Sequence, residues 1–343
     1  MHHIYPKIRK SCNENLLLGD FPALKCVALP WLNRRFSDSF FALKSEALNQ
    51  RKMTDEFCSS GSGEFNDNIE NFTNGQDNIL RMFKGIAVRA AREAGRIHLK
   101  YFKHGIGYTT KSTHYDRVTI ADTEAEATVV SIIRQKSPEH NIIAEEGKYR
   151  KTASEYTWII DPLDGTNNFS QGLPIFCVSI GLAKNGKLLL GCIYDATRKE
   201  LFYAERGKGA FLNSKRIAVS DRSALRDCMF VTGFYYDRRE PMRETLRQME
   251  SFLTKGIIGM RRLGSAALDL CNVAAGRVDG YWEFMLNPWD FAAGKVIVEE
   301  AGGRVTDRFG KEIGIQPSYV VASNGRIHRK MISLLNLPHR SKK

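Results

Sequence analysis

No stretch of this 343-residue chain is apolar enough to cross a bilayer, since even Phe176 to Tyr194 is broken by Lys184, Asn185, Gly186 and Lys187, well short of the roughly 18 residues a span needs. A soluble protein with no membrane partner is expected. Cysteine is sparse and unpatterned: Cys12, Cys26, Cys58, Cys177, Cys192, Cys228 and Cys271 include no CxxC pair. Their odd number fits reduced thiols in a cytoplasmic compartment and signals neither a disulfide frame nor a zinc site. A GxxxxGK[ST] phosphate loop and a GxSxG elbow are both missing, so neither P-loop nor nucleophile-elbow chemistry is signalled. The histidines (His2, His3, His98, His104, His114, His140, His328, His339) all fall outside the acidic motifs. They are expected at the surface, and no histidine base is indicated.

What is present is ordinary globular material. Hydrophobic content of 43% and charged content of 26% exclude collagen and a wholly disordered chain, and the length allows one large or two ordinary domains. The net charge is +13, but the extension does not carry it. Residues 1–52 hold nine Lys and Arg against four acids, and residues 53–78 hold six acids and no Lys or Arg. The start of the chain lacks sustained periodicity, and Cys58 to Gln76 is rich in Ser, Gly, Asn, Asp and Glu, which reads as linker or disorder. Residues 1–78 are therefore expected to be an N-terminal extension, of which residues 1–52 are either an organelle-targeting segment or a poorly folded appendage upstream of a start at Met53. A core begins near Ile79, and 338–343 form a basic tail.

Within the core, Met82, Phe83, Ile86, Ala90, Ala94 and Ile97 recur at helical spacing over Ile79 to Phe102. A second helix is expected from about Asp122, with Ala125, Val129, Ile132 and Ile133 on one face. Ile142 to Ala144 and Tyr156 to Ile160 read as strands that end at acidic residues. Asn185-Gly186 joins Phe176–Lys184 to Lys187–Tyr194 as a hairpin, with Leu201–Ala204 as a third strand. Beyond it strands and helices alternate: strands at 229–232, 257–261, 280–284 and 318–322, and helices at 241–253, 265–274, 290–301 and 327–335. The fold class is mixed α/β or α+β.

The chemistry gathers at strand ends. In WIIDPLDGTNNF, Trp158 to Phe169, a buried strand delivers Asp161, Pro162 turns the chain, and Asp164 follows toward the same point. Carboxylates held close repel, so a divalent cation is the natural compensator, and oxygen ligands suit Mg²⁺ or Mn²⁺ over zinc. Gly165 gives a tight turn, and Thr166, Asn167 and Asn168 open a short helix whose N–H groups suit an anion. Glu145, Glu146, Asp122 and Asp290 supply further acids in similar positions.

Together with IIAEEG (142–147), DRVTIAD (116–122), PWDFAAG (288–294) and EEAGG (299–303), this stretch resembles the inositol monophosphatase family over roughly residues 79 to 337. The resemblance implies a layered αβαβα sugar-phosphatase fold, usually a homodimer, and metal ligands at Glu145, Asp161, the Leu163 carbonyl, Asp164 and Asp290. It implies two or three Mg²⁺ per site, lithium sensitivity, and Thr166 with Asp122 orienting the attacking water beside Glu145. Gly165 and Thr166 would face the phosphate. Gly264, Ser265, Ala266, Glu283 and Asp164 would face the substrate hydroxyls, with Lys111 on a loop near the site. The expected activity is hydrolysis of inositol monophosphate, with fructose 1,6-bisphosphate, histidinol phosphate and 3′-phosphoadenosine 5′-phosphate as alternative esters.

Two signals point elsewhere. Cys271 to Arg277 spells a C-x5-R string, the outline of a cysteine phosphatase loop. The cysteine sits on a predicted amphipathic helix beside Leu268, Leu270 and Val273, so a packed core thiol is expected. Basic clusters at Lys148, Arg150 and Lys151, at Arg261 and Arg262, and at Arg326, Arg329 and Lys330 leave open an RNA- or protein-binding role. No interleaved aromatics accompany them, and the same charge steers an anionic ester.

Overall fold

The structure, a computed structural model, describes residues 63–103, 107–111 and 117–337, with side chains from residue 78. The readings of residues 1–62 and of the 338–343 tail lie outside it. The chain divides into two units, Met1–Asn68 and Ile69–Lys343, and the sheets, the core and the cleft described below all belong to the second. In chain order the elements are α1 (Gly63–Phe102), β1 (Tyr108–Thr110), β2 (Arg117–Thr119), α2 (Ile120–Lys136), β3 (Asn141–Ala144), β4 (Tyr156–Asp164), α3 (Thr166–Ser170), β5 (Cys177–Lys184), β6 (Lys187–Asp195), β7 (Glu200–Glu205), β8 (Gly209–Leu212) and β9 (Lys215–Ile217). Then come β10 (Met229–Thr232), α4 (Glu240–Leu253), β11 (Gly259–Arg261), α5 (Ala266–Ala274), β12 (Gly280–Leu286), α6 (Pro288–Glu300), β13 (Arg304–Thr306), β14 (Ser318–Ser323) and α7 (His328–Leu335).

From Gly63 onward the expected linker is helix instead. Polar composition alone therefore does not distinguish a linker from the start of a helix. Further along, Phe83, Ile86, Ala87, Ala90 and Ala94 form the buried stripe that the spacing predicts.

Strands β3 to β9 form a seven-stranded sheet in sequence order, and β11-β10-β12-β14-β13 form a five-stranded one. One face of the larger sheet packs on α1 and α2. Its other face packs on α5 and α6, which the smaller sheet covers from the far side. Residues of α4 and α7 close the outer face of that second sheet. The layers run helix, sheet, helix, sheet, helix, which is the expected αβαβα order.

Local chemistry explains the register. Asn185 (φ 50°) and Gly186 (φ 77°) both take positive φ, as a tight hairpin turn between twisted strands requires. Pro162 does not turn the chain. It sits inside β4 at an irregularity between Asp161, which faces Ser179, and Asp164, which faces Cys177, and such a bulge tolerates the missing N–H.

Two histidines contradict the surface expectation. His98 is buried with its Nε2 2.8 Å from the Pro162 carbonyl, and His328 lies between Thr306 Oγ1 at 2.9 Å and Ser323 Oγ at 2.8 Å. Burial pulls both down to about 4, so they serve as neutral hydrogen-bonding parts of the core. Cys271 is also buried, in the central cluster, with its thiol pushed up by burial. It is a core thiol.

Candidate active site

The C-terminal ends of β3 and β4, the starts of α3, α5 and α6 and the middle of β12 meet at one cleft. Glu145, Asp161, Leu163, Asp164, Gly165, Thr166, Gly264, Ala266, Glu283 and Asp290 all line it. Asp122 and Ser265, both buried, stand directly behind it. Residues more than a hundred positions apart are thus brought together by the two sheets.

Each acid is held by a named device. Asp122 is the N3 residue of a capping box on α2, where Thr119 donates to Asp122 Oδ2 from its backbone N–H at 2.8 Å and from Oγ1 at 2.6 Å. Its other oxygen, Oδ1, lies 3.0 Å from Thr166 Oγ1, which is also 2.9 Å from the Leu163 carbonyl. Asp290 is the N3 residue of a second capping box, accepting from the Asn287 N–H at 2.7 Å. Asp161 accepts from the Leu163 N–H at 3.0 Å. Asp164 accepts from Ser265 Oγ at 2.6 Å and from the Ala267 N–H at 2.7 Å, at the N-terminus of α5. Ser265 is therefore turned onto Asp164, and the polar face of the GSA turn is engaged by a carboxylate of the cleft.

Electrostatics follow from crowding. Burial, and then Glu145, Asp164, Asp290 and Asp122 as like charges, hold the Asp161 carboxyl well above the usual carboxylate range. Burial and the same kind of repulsion from Glu145 and Asp164 raise Asp290. Burial lifts Asp164 to about 6 despite its hydrogen bonds, and lifts Asp122 to about 6 as well. Glu145 is raised by burial, though Lys111 counters it. Lys111 Nζ lies 2.8 Å from Glu145 and 2.5 Å from Glu146. Burial lowers this ammonium, but the two glutamates outweigh it and hold Lys111 above its ordinary range.

Whether the site suits a divalent cation can be tested on this geometry. Among the described residues no three His, Cys, Asp or Glu stand as a ready-made cage, because Glu145 is drawn to Lys111 and Asp164 to Ser265 and the α5 start. The set nevertheless offers only hard oxygens, repels itself, and already recruits an ammonium to Glu145. That donor chemistry fits a hard cation such as Mg²⁺.

Several cleft residues escape sequence reasoning. Gly233 packs so tightly under Glu283 that a Cβ there would lie 1.9 Å from the Glu283 carboxylate oxygen. A lone Gly after a strand carries no signal of that. Glu283 accepts from Tyr281 Oη at 2.8 Å, and burial brings its carboxyl up to about 7. Phe234, Tyr235, Phe284 and Met285 also line the cleft, and none belongs to an acidic motif, while Arg117 reaches it from within DRVTIAD. Met285 has φ 52°, a left-handed conformation that costs a non-glycine residue roughly 1–2 kcal/mol. Gly165 has φ 99° at the N-cap of α3, and a Cβ there would lie 2.7 Å from the Ile175 carbonyl, so only glycine fits the turn that presents Thr166.

The sequence model of the inositol monophosphatase family matches residues 80–337. A Neisseria meningitidis serogroup B protein called a putative Nus factor SuhB is 41% identical, covering 75% of this chain and 99% of its own. An inositol-1-monophosphatase from Synechocystis sp. is 44% identical over 64% of this chain and 77% of its own. Among solved structures, the inositol monophosphatase of Anabaena superposes with a TM-score of 0.69 at 44% identity, covering 77% of this chain and 99% of that one.

Proposed function

The chain belongs to the inositol monophosphatase family, and on that premise we propose that it is a Mg²⁺-dependent phosphomonoesterase acting on inositol monophosphate and similar small polyol phosphates. The observation that carries this reading is the convergence of Glu145, Asp161, Asp164 and Asp290 on one cleft, where each carboxyl is raised by burial and several by mutual repulsion. These four side chains and the Leu163 carbonyl would hold the cations. When bound, Mg²⁺ supplies charge neutralisation and an activated water.

The remaining steps belong to the protein. Thr166 Oγ1 can accept a hydrogen bond from a water while donating its own hydrogen bond to Asp122 Oδ1, 3.0 Å away, so the pair orients the nucleophile. Gly165 and Thr166 present backbone N–H groups to the phosphate. Glu283, fixed by Tyr281 and seated on Gly233, faces the hydroxyls of the leaving group. Lys111, paired with Glu145, brings positive charge to the phosphate side.

The test is phosphate release from inositol 1-phosphate, fructose 1,6-bisphosphate, histidinol phosphate and 3′-phosphoadenosine 5′-phosphate, with Mg²⁺, with EDTA and with Li⁺. Mg²⁺-dependent, Li⁺-sensitive release that is fastest from inositol 1-phosphate is expected. Preference for another ester moves the enzyme within its family. No release from any ester overturns the reading.

A second reading has one specific support: a relative matched over 99% of its length is called a putative Nus factor. On this reading the exposed basic clusters at Lys148, Arg150 and Lys151 and at Arg326 and Arg329 bind RNA or an acidic protein. A salt-sensitive gel shift of RNA supports it, and no shift at low salt counts against it.

A further inference from the structure

Strand β12 breaks its pairing with β14 beside the cleft: Glu283 faces Val320, yet Leu286 faces Ser318. One extra residue is thus accommodated on β12, and Met285 takes it up with φ 52°. Left-handed backbone is normally left to glycine. A bulge re-aims side chains, and bulges gather at active sites. This one lies between Glu283, which faces the leaving group, and Asp290 at the metal end.

Packing does not explain the methionine. Its side chain is 41% exposed and lines the cleft, so it fills no gap in the core. Strain that burial does not compensate, at the edge of a site, points to a role in that site. Next to it Phe284 and Tyr235 meet with ring centroids 5.7 Å apart, and both also line the cleft. Besides the guanidinium groups of Arg238 and Arg262, which also line the cleft and act on Glu283, the leaving-group side has two characters: carboxylates of Glu283 and Asp164 that accept hydroxyls, and a wall of thioether and aromatic faces. A ring alcohol suits both, because it has a hydroxyl edge and a broad C–H face. An acyclic polyol supplies the hydroxyls without the face.

We infer that Met285 is a specificity-determining residue that, with Tyr235 and Phe284, forms the apolar wall selecting phosphate monoesters of ring alcohols over acyclic ones. This rests on the phosphomonoesterase reading above. The experiment uses the full chain with Mg²⁺ and compares kcat/KM for inositol 1-phosphate and glycerol 2-phosphate in the wild type, Met285→Gly, Met285→Ala and Met285→Leu, with Tm for each. Gly and Ala should lower the ring-to-acyclic ratio by about fivefold or more, within the range for losing an apolar contact, while Leu keeps it within about twofold. Gly alone should raise Tm, by roughly 2 °C, because it alone relieves the backbone. Wild-type activity with an unchanged ratio in Gly and Ala would reduce Met285 to a strained bystander and overturn the inference alone. An equal fall in Leu would overturn it too, because Leu keeps an apolar side chain on the same strained backbone, and a fall confined to Gly would overturn it by locating the effect in the backbone. A wild type inactive on both esters would bring down the functional reading and this inference together.

Discussion

Asp161 shows how much one residue can be asked to do. It is 2% exposed, and burial and then repulsion from Glu145, Asp164, Asp290 and Asp122 hold its carboxyl far from its ordinary range. Asp161→Asn keeps the volume and removes the charge. Turnover is expected to fall by about 100-fold or more in a phosphate-release assay. The metal-free Tm is expected to rise, since an isosteric amide ends four repulsions. Retained turnover would remove Asp161 from the site, and a fall in both quantities would make it a structural residue.

At the scale of elements, helix starts aim the chemistry. Thr119 caps α2 and gives both its N–H and its hydroxyl to Asp122, which reaches Thr166 from behind the cleft. Thr119→Ala should cost about 1 kcal/mol in chemical denaturation and lower kcat more than it raises KM, while Thr119→Ser restores both. A stability loss with unchanged kcat would confine Thr119 to capping.

The same elements show what is legible in the sequence. Strand-end acids, the Asn185-Gly186 turn and the apolar stripe of α1 are readable because each rests on a local period or a turn residue. Strands β8, β9 and β13 escape it because three or four residues carry too little pattern. Pro162 misleads because a proline reads as a turn unless its partner strand is known, and here a bulge of β4 against β5 absorbs it. Gly233 acts through Glu283, far away in sequence, and Met285 is marked only by a positive φ that the pairing of β12 with β14 reveals, so no local signal marks either. His98 and His328 defy the surface expectation because their partners come only with the fold: Thr306 and Ser323 engage both ring nitrogens of His328, and the Pro162 carbonyl engages Nε2 of His98, whose Nδ1 is left buried without a partner.

For the molecule as a whole, pH reports on the site. A raised carboxyl pKa means the folded chain keeps protons that the unfolded chain has lost, so stability without metal falls as pH rises. His98 and His328, pulled down to about 4, work in the opposite direction only up to the ordinary histidine pKa of about 6.5. Above it the raised carboxyls set the slope, with Glu283 brought to about 7 and Asp161 and Asp290 also held well above the usual carboxylate range, and the buried thiols of Cys177 and Cys271, pushed up by burial, add in the same direction toward pH 8. In EDTA, Tm is expected to decline from about pH 6.5 to 8, and Mg²⁺ should recover more stability at pH 8 than at pH 6, because its ligands must be deprotonated. Scanning calorimetry at both pH values checks it, and a flat metal-free profile would mean the acids do not crowd one another in solution.

Helix α6 carries Asp290 on its first turn and runs between the two sheets with almost nothing between it and the strands beneath. A Cβ at Gly191 would lie 2.2 Å from the Ala293 carbonyl, and one at Gly181 3.3 Å from the Ala292 methyl. Backbone rests on backbone there, without the compliant cushion of long side chains. The position of Asp290 is therefore machined by the sheet itself, with no room at that contact for a side chain to intervene. A single methyl group added at Gly191, remote from any substrate, would throw the instrument out of alignment.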